Sequence, residues 1–115
     1  PLAFTGVCTD EMCSVSQGLD AYSGAGADVI AISVDSPFAQ EAWAKQNNIA
    51  LTIVSDLNKE ATKAYDVVFP NLAGMGRSSE RAVFVINGEG VIAYVQVTEN
   101  PGVLPDFVDV LANLG

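Results

Sequence analysis

At 115 residues, half of them apolar and 8% aromatic, the chain is sized for one globular domain with a modest core. Fourteen acidic against five basic side chains leave a formal charge of −9, which repels phosphate backbones and anionic lipids and argues against nucleic-acid and membrane partners. No histidine is present, which removes Ser-His-Asp and Cys-His catalysis together with the commonest metal ligand; two cysteines alone cannot complete a zinc site, so neither metal nor cofactor is expected and any cysteine chemistry is redox. The longest apolar runs, 29–34 and 82–86, fall far short of the roughly 18 residues of a membrane helix. Residues 1–7 have no basic flank and no long apolar stretch, so a cytoplasmic address is expected.

Along the chain, residues 8–22 mix polar and apolar types with good helix formers near the start, and Gly24 and Gly26 end that helix. Residues 28–34 form a run rich in Val and Ile, the pattern of a parallel strand buried on both faces. Ser36 before Pro37 reads as an N-cap with proline at the first helical position, opening a helix to about Asn47. A short buried strand at 51–55, a helix at 58–65 and a glycine-bearing loop at 69–79 follow. Residues 81–86 and 91–97 are strands joined through Asn87-Gly88-Glu89-Gly90, a strong hairpin signal, and 105–114 is a closing helix. Phe38, Trp43 and Tyr65 sit at helical positions that favour core packing.

This order is that of the C-terminal portion of a thioredoxin-like α/β domain, a central sheet flanked by helices, spanning 1–115 as one domain. Pro1 enters a turn with no strand before it. Such a sheet needs a central strand to feed that turn, so N-terminal strands are expected to lie outside this chain, leaving an apolar edge uncovered.

The stretch Pro1-Leu2-Ala3-Phe4-Thr5-Gly6-Val7-Cys8 places Pro, Thr and Cys at a distinctive spacing. It resembles the peroxiredoxins of the alkyl hydroperoxide reductase and thiol-specific antioxidant superfamily. The resemblance continues through Thr9-Asp10-Glu11-Met12-Cys13, residues 32–37, Ser55-Asp56, residues 79–86 and Glu99-Asn100-Pro101-Gly102, in order over essentially the whole chain. Cys13, five residues after Cys8, is similar to the spacing in the bacterioferritin-comigratory branch, and the opening motif also suits relatives of alkyl hydroperoxide reductase E.

The resemblance implies a thiol peroxidase reducing hydrogen peroxide and organic hydroperoxides, with Cys8 as the attacking thiol and Thr5, Arg81, Pro1 and Glu11 around it. Elementary chemistry agrees. A cysteine in the first turn of a helix is stabilised as thiolate by free N–H groups and the positive end of the dipole. Thr5, three residues earlier, is placed as an N-cap to accept from the Cys8 amide while offering its hydroxyl to a peroxide. In the family pattern Pro1 walls the sulfur from water, Arg81 favours the thiolate and grips the peroxide oxygens, and Glu11 orients the arginine. As solitary residues, Cys8 is equally a small buried hydrophobe, Thr5 a plain cap, Arg81 a surface ion-pair partner and Glu11 a solvated first-turn acid.

Cys13 has two readings: a resolving thiol that condenses with an oxidised Cys8, or a small buried residue. Five helical positions rise about 7.5 Å, beyond the roughly 7 Å Cα limit of a disulfide, so resolution requires the first turn to unwind. The expected partners are a hydroperoxide and a thiol reductant such as thioredoxin or a glutaredoxin-like protein, with a homodimer as the candidate assembly. The alternatives are a thioredoxin-type disulfide oxidoreductase, which normally uses Cys-x-x-Cys, and a noncatalytic thiol sensor.

Overall fold

Thr5 is extended, with φ −85° and ψ 151°, and from the next residue the chain is helical. Helix α1 (Gly6–Gln17) buries Cys8 and Val15. The computed structural model describes residues 1–98 and 100–114, so Glu99 of the resembling stretch lies outside the described residues. The helix expected over 8–22 is two helices. Gly18 closes α1 by donating its N–H to the Ser14 carbonyl, and the short α2 (Leu19–Gly24) follows, with Tyr22 buried.

Strand β1 (Ile30–Ser33) pairs in parallel with β2 (Thr52–Ser55), with Ile30 opposite Thr52 and Ser33 opposite Ser55. Helix α3 (Pro37–Asn47) crosses between them. Ser36 Oγ accepts from the Ala39 N–H at 3.2 Å, Pro37 supplies a φ already helical, and Asn48 ends the helix in the left-handed region at φ 53°. The expectation that β1 is buried on both faces is corrected: Ile30 is 61% and Ile32 53% exposed. One face of the ladder, through Ile53, packs on the helical core, while Ile30, Ile32 and Val54 on the other face meet solvent.

Helix α4 (Glu60–Ala64) follows, shorter than expected, and the predicted loop at 69–79 contains a two-residue antiparallel ladder of β3 (Val68–Phe69) with β4 (Ser78–Ser79). Strands β5 (Arg81–Ile86) and β6 (Ile92–Thr98) form the expected hairpin. Asn87 Oδ1 accepts from the Glu89 and Val91 N–H groups and Gly90 takes φ 78°, a conformation glycine adopts without steric cost. Helix α5 (Phe107–Ala112) starts at an Asp106 cap that accepts from Val108 and Asp109.

The three strand pairs are separate ladders among the described residues, and β1 is not hydrogen-bonded to β5. The expected central sheet is therefore present as its parts. What spans the gap is the segment before α1: Ala3 N–H reaches Asp35, just after β1, and the Pro1 carbonyl reaches Ser78 on β4. The core beneath comprises Cys8, Val15, Tyr22, Trp43, Ile49, Leu51 and Val110, so the cysteine of the motif is itself part of the packing. Trp43 is 3% exposed as expected, whereas Phe38 is 82% exposed on the outer face of α3. Tyr65 is only partly covered and packs edge-on against Phe84, with ring centroids 4.8 Å apart.

Candidate active site

Cys8 is the third residue of α1, inside the first turn, and is 4% exposed. The turn of chain that delivers it passes through Phe4, which holds φ 65°, a left-handed conformation that reverses the chain between the extended residues and the helix. Arg81, the first residue of β5, is 3% exposed. Its Nη2 donates to the Cys8 sulfur at 3.2 Å and its Nη1 to Glu11 Oε2 at 2.6 Å. The Pro101 carbonyl accepts from Arg81 Nη2 at 2.7 Å and from Nε at 3.1 Å. A buried guanidinium keeps its charge where its donors are met, and here Cys8 and Glu11 hold the Arg81 pKa above its ordinary value against the opposing effect of burial.

Burial alone pushes the Cys8 thiol up from its ordinary 9.0, but the net displacement is downward. The Thr5 hydroxyl, the Leu2 N–H and the Arg81 guanidinium all favour the thiolate, in that order of effect. The Leu2 N–H and the Pro101 carbonyl were not legible in the motif, because a backbone group carries no residue signature; Pro101 does lie in the resembling stretch 100–102.

The expectation for Thr5 is corrected in one respect. It occupies the N-cap position, yet its side chain makes no cap bond; the hydroxyl donates to the Leu2 carbonyl at 2.7 Å. Thr5 thus holds its hydroxyl on the Leu2 carbonyl while lying beside Cys8, whose thiolate it favours. Its carbonyl accepts from the Thr9 N–H and hydroxyl, at 2.9 and 2.8 Å. Trp43 Nε1 in turn donates to Thr9 Oγ1 at 3.1 Å, so α3 fixes the first turn of α1.

A cavity of about 250 Å³ lies against Cys8, bounded by Pro1, Thr5, Val7, Met75, Arg81 and Pro101. Pro1 also borders a smaller space of about 60 Å³ on the core side of Cys8, beside Met12 and Trp43. Pro1 thus flanks the sulfur, where the resemblance puts a wall. Cys13 is free, as is Cys8, and lies half-buried with its Sγ 3.8 Å from the Asn47 carbonyl on α3. Among the described residues no group of three or more His, Cys, Asp or Glu side chains is disposed to hold a metal.

A buried thiol at a helix start, gripped by a buried arginine, thus sits on an α/β framework of the thioredoxin-like class. The family model described as "AhpC/TSA family" matches residues 1–95, and the chain belongs to that family. It is 31% identical over 119 residues to alkyl hydroperoxide reductase E of Mycobacterium bovis, with 99% of this chain and 74% of that protein covered. It is 32% identical over 108 residues to a protein of Rattus norvegicus named thioredoxin-dependent peroxide reductase, mitochondrial, covering 88% of this chain and 40% of the relative. The reduced 2-Cys peroxiredoxin of Plasmodium vivax superposes with a TM-score of 0.88 at 29% identity, over 99% of this chain and 60% of that one. The chain spans about half the length of the first curated relatives it matches.

Proposed function

We propose that the protein is a thiol-dependent peroxidase in which Cys8 attacks a hydroperoxide. The observation that carries this reading is the 3.2 Å contact between Arg81 Nη2 and the Cys8 sulfur, reinforced by the 2.6 Å Glu11 bond behind it. The thiolate takes the terminal peroxide oxygen, the O–O bond breaks, and the departing oxygen gains a proton to leave as water or an alcohol, with Cys8 as the sulfenic acid. Negative charge passes from sulfur to the leaving oxygen during this step. A guanidinium that already touches the sulfur is placed to follow that charge, and the Thr5 hydroxyl and Leu2 N–H are the remaining donors. Pro1 shields the thiolate and Glu11 holds the arginine.

The cavity of about 250 Å³ exceeds the roughly 30 Å³ share of one water several-fold, which supports hydrogen peroxide and small organic hydroperoxides as substrates. Reduction of the sulfenic acid falls to Cys13 or to an external thiol. Thioredoxin is the proposed reductant, supported by the name of the rat relative, and a glutaredoxin-like protein is the alternative donor. A homodimer in the cytoplasm is the proposed setting. The charge of −9 argues against nucleic-acid or lipid partners.

The test is steady peroxide consumption with a thiol reductant. Cys8→Ser abolishes it, while Cys13→Ser leaves the first oxidation of Cys8 intact. The reverse pattern overturns the reading, and a single oxidation without turnover returns the sensor alternative.

A further inference from the structure

The segment that presents Cys8 is held by its peptide groups rather than by its side chains. The carbonyl of the Pro1–Leu2 peptide accepts from Ser78 Oγ at 2.8 Å. Leu2, which carries the N–H of that same peptide group, lines one cavity with Thr5 and Cys8, and its N–H favours the Cys8 thiolate. The next peptide repeats the pattern. Its carbonyl, on Leu2, accepts from the Thr5 hydroxyl at 2.7 Å, and its N–H, on Ala3, donates to Asp35 Oδ2 at 2.8 Å. A peptide group is planar, so fixing one end fixes the direction of the other.

Both anchors are themselves held. Ser78 is 2% exposed on β4. The Asp35 carboxylate accepts from Ser33 Oγ at 2.7 Å, and Ser33 Oγ accepts from Gln40 Nε2, a buried amide of α3, at 2.8 Å. Neither anchor belongs to the motif Pro1 to Cys8, and the two are 43 positions apart.

We propose that Ser78 and Asp35 are a pair of positioning residues that clamp successive peptide groups of the segment 1–5, aiming the Leu2 N–H at the Cys8 sulfur and keeping the Thr5 hydroxyl beside it. The inference rests on the reading of Cys8 as the attacking thiol, but the clamp acts on the thiol whether or not a peroxide is present. Its sign separates it from simple electrostatics. The charged side chains beside Cys8 are Glu11 and Arg81, with Asp35 behind Ala3. By Coulomb's law alone, removing the Asp35 charge makes the thiolate easier to form; releasing the segment withdraws hydrogen-bond donors and makes it harder.

The experiment is the pH dependence of Cys8 alkylation by iodoacetamide in the full chain, followed by mass at the Cys8-bearing peptide. Ser78→Ala and Asp35→Asn are each expected to move the titration midpoint upward, by about half a pH unit or more, and to slow alkylation near neutrality about threefold. Ser78→Thr, which keeps a hydroxyl, restores the midpoint. A folded Ser78→Ala protein with an unmoved midpoint overturns the proposal, and so does a midpoint lowered by Asp35→Asn. If Asp35→Asn does not fold, Ser78→Ala decides alone, because it removes one hydroxyl and no charge. Peroxide consumption is scored separately: a wild-type chain that consumes none while the two midpoints rise loses the peroxidase reading and keeps the clamp.

Discussion

Arg81 and Cys8 lie 73 positions apart and meet at 3.2 Å, both almost wholly withdrawn from solvent. Two groups buried in this way are costly unless each satisfies the other, so the pair is as much a folding constraint as a chemical device. It ties the start of β5 to the first turn of α1, and Glu11, one turn further along α1, takes the second arm of the guanidinium.

Replacing Arg81 by Lys retains the charge but not the planar fork that reaches Cys8, Glu11 and the Pro101 carbonyl together. The rate of Cys8 oxidation is expected to fall at least tenfold, about 1.4 kcal/mol of activation free energy. Stopped-flow peroxide oxidation measures this, and a rate unchanged within error removes Arg81 from the chemistry.

How far this site was legible depended on which groups carry a residue signature. Cys8, Thr5, Glu11 and Arg81 stand in a motif, and the structure brings all four to one point. Asp35 and Pro101 lie in resembling stretches and Ser78 just before one, but all three act on or through backbone groups, which every residue possesses, so their part in the site was not legible. The fold divides similarly. Local chemistry announced α3 through Ser36 and Pro37, and the hairpin through Asn87 and Gly90. The run at 28–34 is apolar enough for burial on both faces, but burial depends on which neighbours are present, and Ile30 and Ile32 stay more than half exposed. The two-residue β3–β4 ladder is too short to leave any periodicity in the sequence.

Asp56 offers a stability test away from the site. Burial pushes its carboxyl up from 3.8, but the Thr62 hydroxyl and the N–H groups of Thr62, Ala61 and Glu60 pull it lower still. A carboxylate depressed by folding stabilises fully above the pKa of the unfolded chain and loses that contribution as pH falls through the folded value. Asp56→Ala strands the donors at the start of α4 and is expected to cost about 1–3 kcal/mol near neutrality, read by urea unfolding. The gap from wild type should narrow only below about pH 4, as the wild-type carboxylate protonates. A gap independent of pH would locate its cause in packing.

Trp43 makes the proposed role of Cys13 observable. It is the only tryptophan of the sequence, and its indole N–H is bonded to Thr9 in the first turn of α1. Cys8 and Cys13 are both free and five positions apart on α1, a rise of about 7.5 Å that a disulfide cannot span without unwinding the first turn. Unwinding breaks the Thr9 bonds to the Thr5 carbonyl and releases the Trp43 N–H, while Cys13 leaves the Asn47 carbonyl. One equivalent of peroxide should therefore give a protein lighter by two hydrogens, with reduced helical circular dichroism and a shifted tryptophan emission. In Cys13→Ser the same treatment should add one oxygen at Cys8 with the helix intact and a smaller emission change. Oxidised wild-type protein carrying only the added oxygen, with emission matching the Cys13→Ser variant, would leave Cys13 as a packing residue and hand resolution to an external thiol.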